Sequence, residues 1–527
     1  MKRLLGFLLA AALPGALAVA APAPAYTTVP TGNASLPAGN FEASIGGLTP
    51  GNGNGFHTEY YVVAGTLTVV SGTTLVVHQW VGSDSITPFE LQRKEVVSLL
   101  RATNGITGTF QAIQSPDFPH WVLFDDSTST THRYGNLYGT GLLSAQTFAD
   151  YGSNARRRAV GQGLWDAAVR VSTAGKAGFI DSATAPGQAA IGLLAATNLD
   201  TALDSLSPEP YLSLGDYGLF ALRGAADGIG SGVPFLQKHH WTASLAYQRA
   251  GVTEAGLTSS AFDHRMTAAL TVVRLACDFT PGVTGSVFYG ASSGHVSSAM
   301  ATSDLRGSFF GVEFAVRPIT DVPLSLRLSA VHAGLHADTT RQPNAMGLSG
   351  GQIAVVSQAA SSAAAQPVSG FATAFTVRYD LCDGPRWKLG PYATYFHGNS
   401  KTGAVTETGG GASLDVAGAE RSLSSGDVGL AASFASADGW NVNAAVGYEK
   451  VFSSTAPQVS ATFVGGATGA APMTLTGTAA DGHVVVARLG LGYAFDRFSG
   501  VALDFGLRSG DQLKAERRLG FSYATRF

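Results

Sequence analysis

The chain has 527 residues, of which 66 are glycine and only 13% are charged, with a formal net charge of −3. Mean hydropathy is slightly positive at +0.16, unusual for a soluble globular chain, so something other than water is expected to solvate part of it. With no net or clustered basic charge, nucleic acid is excluded as a partner, and two cysteines, Cys277 and Cys382, outside any CxxC or Cys/His grouping, exclude a disulfide scaffold.

The first residues, MKRLLGFLLAAALPGALAVAAPAPA, place Lys2 and Arg3 before an apolar run and then small residues in A-x-A order ending at Ala20 or Ala25. This is the pattern of a secretory signal peptide over residues 1–20 or 1–25. No later stretch reaches about 18 consecutive apolar residues, so a membrane would be crossed only by a closed barrel. Next comes YYVVAGTLTVVSGTTLVV, short β-rich runs punctuated by glycine, as solenoid rungs are. Residues 26–141 would hold a handful of rungs, without a strict period.

Over residues 142–236 the period changes. PGQAAIGLLAATNLDTALDSL reads as one helix and LSPEPYLSLGDYGLFALRGAAD as a second, with Ser207 as N-cap and Pro208 at the first helical position. Gly215, Gly218 and Gly224 run against the second helix. About 20 helical residues span roughly 30 Å, enough to thread a barrel of membrane height. A helix docked on the periplasmic side is the alternative.

From Lys238 the period is two, the mark of strands with one apolar and one polar face. Val485, Ala487, Leu489, Leu491, Tyr493 and Phe495 alternate with Val486, Arg488, Gly490, Gly492, Ala494 and Asp496. Twelve such segments fall near 239–248, 263–277, 283–293, 302–317, 322–335, 368–381, 386–399, 424–436, 440–453, 482–496, 499–509 and 515–527. Tight turns such as FTPGV, PITDV, CDGPR and SADG come after the even-numbered segments, whereas long Gly/Ser/Thr-rich connections come after the first, fifth, seventh and ninth. Outer-membrane barrels are wired in this way, with short periplasmic turns and longer outside loops. A soluble β-sandwich would not need the asymmetry. Residues 237–527 are therefore expected to form a 12-stranded transmembrane β-barrel.

That register sorts three groups of side chains. Trp241, Trp387 and Trp440 open the first, seventh and ninth strands and would share one interface as a periplasmic aromatic girdle. Glu313, Arg327, Arg378, Asp427, Arg488, Asp504 and Arg508 project into the lumen; they either line hydrated space or hydrogen-bond the helix and plug the pore. In the last strand Leu519, Phe521, Tyr523, Thr525 and Phe527 face lipid while Arg518, Gly520, Ser522, Ala524 and Arg526 face the lumen, and this strand has to pair with the first to remove the sheet's edges.

Signs of chemistry are weak. The G-x-S-x-G strings GASSG (290–294) and GLSGG (347–351) lack the strand-turn-helix setting of a nucleophile elbow. The twelve histidines show no metal-ligand spacing, and the chain has no P-loop. No catalytic, cofactor-binding or metal-ligating residue is expected, and the protein is not expected to be an enzyme.

Several strings carry a family likeness. EVVSLLRATNGITGTFQAI, the stretch ending WVLFDDSTSTTHRYGNLYGTG, NARRRAVGQGLWDAA and ALDSLSPEPYLSLG, then GSVFYG, PYATYFHG with TETGG, and GFSYATRF, resemble in order and spacing the classical monomeric autotransporters, over Glu95 to Phe527. The resemblance implies a signal peptide, a short right-handed β-helix-like passenger over 26–141 with an autochaperone-like end, a helical linker and lumenal helix over 142–236, and the barrel. It also implies an all-β outer-membrane protein that anchors and displays its own passenger at the surface of a Gram-negative-type bacterium by type V secretion, adhesion being one role for the passenger. Outer-membrane lipid, the barrel assembly machinery and periplasmic chaperones are the implied partners, with no cofactor and no identified surface ligand. Leu519, Phe521, Tyr523 and Phe527 are the implied C-terminal assembly signal, although Thr525 stands where the family often has an aromatic residue. A porin-like or structural outer-membrane barrel with an N-terminal periplasmic domain is the alternative.

Overall fold

Strict alternation in the last part of the chain has a direct consequence in the computed structural model: twelve antiparallel strands in one sheet, closed on itself. The structure describes residues 26–29, 32–48, 56–58, 60–79, 85–86, 97–98, 100–102, 104–108, 110–114, 121–125, 137–141, 147–171, 178–181, 184–195, 198–227, 241–254, 264–280, 282–298, 300–317, 322–342, 347–349, 352–354, 361–384, 386–409, 412–477, 479–480, 482–496, 498–510 and 513–527. The expected signal peptide lies outside the described residues. Two units are distinguished, 1–146 with 169–183, and 147–168 with 184–527.

In the first unit the chain returns repeatedly to the same three directions. Tyr26–Val29, Tyr60–Val63 and Leu100–Ala102 form one parallel stack, Ala34–Leu36, Leu67–Val69 and Ile106–Thr107 a second, and Gly39–Leu48, Thr73–Gln79 and Ala112–Gln114 a third. Leu36, Val63, Leu67, Leu75 and Ala102 are buried between them. One corner is stitched by Thr73, whose buried hydroxyl lies within hydrogen-bond distance of the carbonyls of Val70 and Pro37, at 2.7 and 2.9 Å. A further sheet pairs Trp121–Asp125 with Leu137–Gly141 and Gly178–Asp181, flanked by Val97–Ser98 and Val169–Val171.

The second unit is the barrel. Its strands are Trp241–Glu254 (β1), His264–Thr280 (β2), Val283–Ser297 (β3), Ala301–Val316 (β4), Leu324–Arg341 (β5), Ser362–Tyr379 (β6), Trp387–Thr402 (β7), Ala419–Ala435 (β8), Trp440–Ser454 (β9), His483–Ala494 (β10), Ser499–Gly510 (β11) and Leu513–Arg526 (β12). Each pairs with its sequence neighbours, and β12 closes on β1 with Tyr523 opposite Leu245 and Phe521 opposite Tyr247. The Phe527 amide adds a hydrogen bond to the Trp241 carbonyl at 3.0 Å. A tight turn from β8 to β9 needs the left-handed backbone of Gly439, φ +89°. Strands of 12 to 18 residues exceed the roughly 9–11 that a bilayer needs, so they rise beyond it on the loop side.

The outward face carries an apolar belt. Trp241, Trp387, Trp440, Phe495 and Phe527 mark its lower edge, and Tyr247, Tyr289, Tyr395 and Tyr448 its upper edge, all exposed. In water this much contiguous apolar surface would be unstable; in lipid it is the required solvent match.

Upstream lie helices Ala155–Ala168 (α1), Ala185–Ala195 (α2), Leu199–Ser205 (α3) and Leu212–Ala226 (α4). The single helix expected over 186–206 is thus two, because Asn198 starts a new one by accepting the Thr201 amide at 3.1 Å. Ser207 accepts the Glu209 amide at 3.2 Å, but the N-cap position is Pro208 rather than Ser207, and the element it opens is a 3-10 turn, Glu209–Tyr211, that leads into α4. Among the described residues no helix is long and apolar enough to cross a membrane. α4 instead runs inside the barrel, buried along all but one of its residues.

Candidate functional site

The glycines of α4 fit it to the wall. A β-carbon on Gly218 would stand 2.1 Å from the Ser400 hydroxyl oxygen, and one on Gly224 would stand 2.9 Å from Leu270. The wall reciprocates: a β-carbon on Gly294 would meet Tyr217, and one on Gly370 would meet Leu222. Leu222, Ala225 and Ala226 join Leu270, Phe288, Phe309, Val331 and Phe396 in one buried cluster. The lumen therefore has a packed apolar core where open barrels have water.

Below that core, polar groups hold the end of the helix. The Ala226 carbonyl, unsatisfied by any further helical turn, accepts Ser329 Oγ at 3.0 Å, and Arg327 reaches the Asp227 carbonyl at 3.3 Å. Arg327 is held by Glu313 at 2.6 Å, and Glu313 also binds Arg274. Asp227 pairs with Arg518 at 2.6 Å, and Arg223 on α4 with Glu449 at 2.7 Å. Glu449 in turn holds Arg508, which shares Glu516 with Arg518. Cations at a helix C-terminus also oppose the helix dipole favourably.

Above the core, Asp216 of α4 pairs with Arg421 at 2.7 Å. Arg341 and Glu407 form a fully buried bidentate pair. Arg341 also donates to the Ser205 carbonyl at 2.7 Å, and Tyr211 Oη donates to Glu407 at 2.8 Å. Glu407 belongs to the long β7–β8 connection. That connection and the β9–β10 connection build a four-stranded sheet of Val405–Thr406, Leu414–Val416, Gln458–Phe463 and Met473–Thr476.

α1 lies on this sheet. The Ala467 amide donates to the Ala167 carbonyl at 3.0 Å, and a β-carbon on Gly163 would come within 2.8 Å of Met473 Cβ. Asp204 of α3 takes both Arg156 and Arg157 of α1 at 2.7 Å. Burial pushes the Arg156 guanidinium down from its ordinary pKa, while the hydrogen bond to Asp204 pushes Arg157 up.

Beside the lower half of α4 a cavity of about 440 Å³ remains, lined by Asp227, Arg327, Arg378, Arg488, Asp504 and Arg518 among others. Plugging is therefore uneven: tight against β2 to β7, looser toward β9 to β12.

The seven charges expected in the lumen all lie on inward positions, but they play different parts. Arg327 touches the helix end directly, and Glu313 buttresses it. Arg508 acts through Glu449. Asp427 binds Tyr392 at 3.1 Å and Arg488 at 3.4 Å. Arg378 turns to Asp380 at 2.6 Å, and Asp504 lines the cavity. Sequence alone does not single out Arg341, Glu407, Arg421, Glu449, Glu516, Arg223, Asp216 and Asp227, although inward parity marks Glu449 and Glu516. The three tryptophans stand exposed at the starts of β1, β7 and β9, on one rim. Leu519, Phe521, Tyr523 and Phe527 point outward along β12. GASSG lies within β3, with no elbow.

Among the described residues no cluster of His, Cys, Asp and Glu side chains is placed to hold a metal ion. Cys277 and Cys382 are free thiols.

No curated protein matches the chain. Among solved structures it is similar to the translocator domain of the autotransporter NalP from Neisseria meningitidis, 13% identical over 59% of this chain and 95% of that one, with a TM-score of 0.45. It is also similar to an outer membrane channel from Pseudomonas putida F1, 13% identical over 56% and 98%, TM-score 0.32. The transport unit of the autotransporter AIDA-I from Escherichia coli is 10% identical over 59% and 98%, TM-score 0.34. Scores this low carry no argument between channel and autotransporter. The family model described as the autotransporter β-domain decides, matching residues 271–506, from within β2 to within β11. The barrel of this chain is an autotransporter β-domain, an outer-membrane barrel for the secretion of a passenger.

Proposed function

We propose that the barrel anchors and displays the chain's own N-terminal part, residues 26–141, as a short β-helical passenger at the cell surface, after export directed by residues 1–20 or 1–25. The observation that carries this reading is the polarity of α4. Its C-terminal end is held by Arg327 and Ser329 near the short-turn rim, and its N-terminal end meets Arg341 and Glu407 near the loop rim. The polypeptide before it, α1 included, is tied to loop hairpins. A chain threaded in this direction leaves the barrel on the loop side. Stacked parallel strands in the first unit support the β-helical reading of the passenger, and an exposed, rigid module suits adhesion.

On this reading residues 142–236 are linker and tether, and 237–527 the translocator. Trp241, Trp387 and Trp440 form the periplasmic girdle, where an indole keeps its ring in lipid and its N–H in water. The outward residues Leu519, Phe521, Tyr523 and Phe527 serve as the signal for the barrel assembly machinery, after passage with periplasmic chaperones. The driving force is folding of the passenger outside, since the periplasm offers no nucleotide. Of the lumenal charges, Arg327 with Glu313, and Arg508 through Glu449, hold α4 as a plug.

Protease added to intact cells tests the topology. Residues 26–141 should be digested while the barrel persists. Protection of that segment until the outer membrane is broken would leave a barrel with a periplasmic domain instead.

A further inference from the structure

Outward-facing charges above the apolar belt are paired on some strands and not on others, Lys450 on β9 being a lone exposed cation among the described residues. On β4, β5, β7 and β8 they neutralise one another across strands, with Arg306 2.6 Å from Asp338 and Lys401 3.2 Å from Glu420. The His295 ring on β3 lies 2.8 Å from the Asp304 carboxylate on β4. Around the seam of β12, β1 and β2 the pattern changes. Arg517, Arg249 and Arg265 are exposed there, and among the described residues none has an ion-pair partner. The described outward positions of these three strands carry no carboxylate.

The three guanidiniums surround a position without a side chain. Gly251 on β1 is paired with Arg517 of β12 on one side and with Thr267 of β2 on the other. Arg249 is the outward residue below it, and Arg265 pairs with Thr253, the outward position above. A β-carbon on Gly251 would meet nothing nearer than 3.9 Å, so the notch is open. Opposed side chains lie about 5 Å apart and diagonal ones about 7–8 Å, which brackets a space the size of a phosphate group. Directly below stand Tyr247, Leu519 and Phe521, exposed to lipid.

We propose that the Gly251 notch, ringed by Arg249, Arg265 and Arg517, binds the phosphate of a lipid in the leaflet at the loop rim, with the lipid's acyl chains lying on the belt beneath. Snorkelling accounts for a single arginine at this height. It does not account for three unpaired like charges around one empty position, which repel unless a counter-anion joins them. A guanidinium fork matches phosphate oxygens in pairs, and the step from cationic notch to apolar belt matches a molecule that is phosphate at one end and hydrocarbon at the other. The proposal rests on the reading that the loop rim faces outside, where the leaflet is built of phosphorylated glycolipid; surface proteolysis tests that reading separately.

The purified full chain in neutral detergent is offered a bis-phosphorylated outer-leaflet glycolipid and its dephosphorylated counterpart, and retained lipid is read by native mass spectrometry. Retention of the phosphorylated form alone is expected, weakening about tenfold for each arginine changed in Arg249→Gln, Arg265→Gln and Arg517→Gln. Gly251→Leu, which fills the notch and keeps every charge, should weaken it comparably, and Arg306→Gln should leave it unchanged. Folding of each variant is checked by heat-modifiable gel mobility; if the triple variant fails there, the single variants and Gly251→Leu decide. Equal retention by the variants, or of the dephosphorylated lipid, overturns the proposal. Displacement by inorganic phosphate at the lipid's own concentration assigns the notch to the free ion and overturns the lipid assignment.

Discussion

Arg341 and Glu407 are joined by two hydrogen bonds of 2.9 and 2.7 Å with both side chains wholly buried, although one ends a barrel strand and the other lies in a surface connection. A carboxylate from a loop has been folded into the lumen, where it also takes Tyr211 at the head of the helical tether. Removing one partner leaves the other charge buried and unmatched. Glu407→Ala should therefore destabilise the folded barrel by about 3–5 kcal/mol, whereas Arg341→Met with Glu407→Leu should recover much of the loss. The temperature at which the compact gel band converts to the unfolded one measures both.

Gly218 of α4 lies hard against the wall at Ser400. Gly218→Leu cannot be accommodated against Ser400 without moving the helix, and overpacking of this kind costs about 1–3 kcal/mol. The variant should fold as a barrel and show raised, fluctuating conductance in planar bilayers. Conductance equal to that of the parent would mean that the helix is not what closes the lumen.

Deleting residues 187–230 is the stronger version of that test. A wide, steady pore is expected from the deletion, and only small conductance from the intact protein. A wide pore in the intact protein would remove the plug from the account, and the uneven packing along the cavity would then be the path.

Tyr523 and Phe527 face lipid on the strand that closes the barrel. Replacing both by Asp puts charge where acyl chains belong, at a cost that depends on depth, and should leave the protein in the periplasm. Normal outer-membrane levels with heat-modifiable mobility would refute the role assigned to this strand.

At the β6–β7 turn, outside the bilayer, the hydrogen bond from Lys388 holds the Asp383 carboxyl below its ordinary range. A lowered folded value means that the pair's contribution is present above the unfolded carboxyl pKa and is lost as pH falls through the folded one, from roughly pH 4 downward. The turn is exposed, so the effect on stability is small. Carboxyl chemical shifts should show Lys388→Met returning Asp383 toward the usual value; an unchanged titration would deny the coupling.

Much of this is legible in the sequence because a membrane barrel has a simple grammar. Side-chain parity puts Glu313, Asp427 and Arg508 inward and Leu519, Phe521 and Tyr523 outward, and the tryptophans mark a rim. Where parity stops, the reading fails. Alternation places the end of β5 near 335, so Arg341 escapes it, and Glu407 sits in a connection with no period at all. Asp216 and Arg421, 205 positions apart, carry no local sign of each other. Gly218 reads by propensity as a helix breaker, whereas the seat against Ser400 is what requires it. Asn198 is a readable cap that splits the helix expected over 186–206.

The seat of α1 on the loop hairpins has a mechanical consequence. A pull on the chain upstream of Thr147 first loads the contact of Ala167 with Ala467 and the grip of Asp204 on Arg156 and Arg157. Tension on Asp204 runs along the chain toward α4, and part of it is diverted into the hairpins through Ala467 and into β5 through Arg341, which holds the Ser205 carbonyl. The wall of the barrel thus shares the load with the threaded helix.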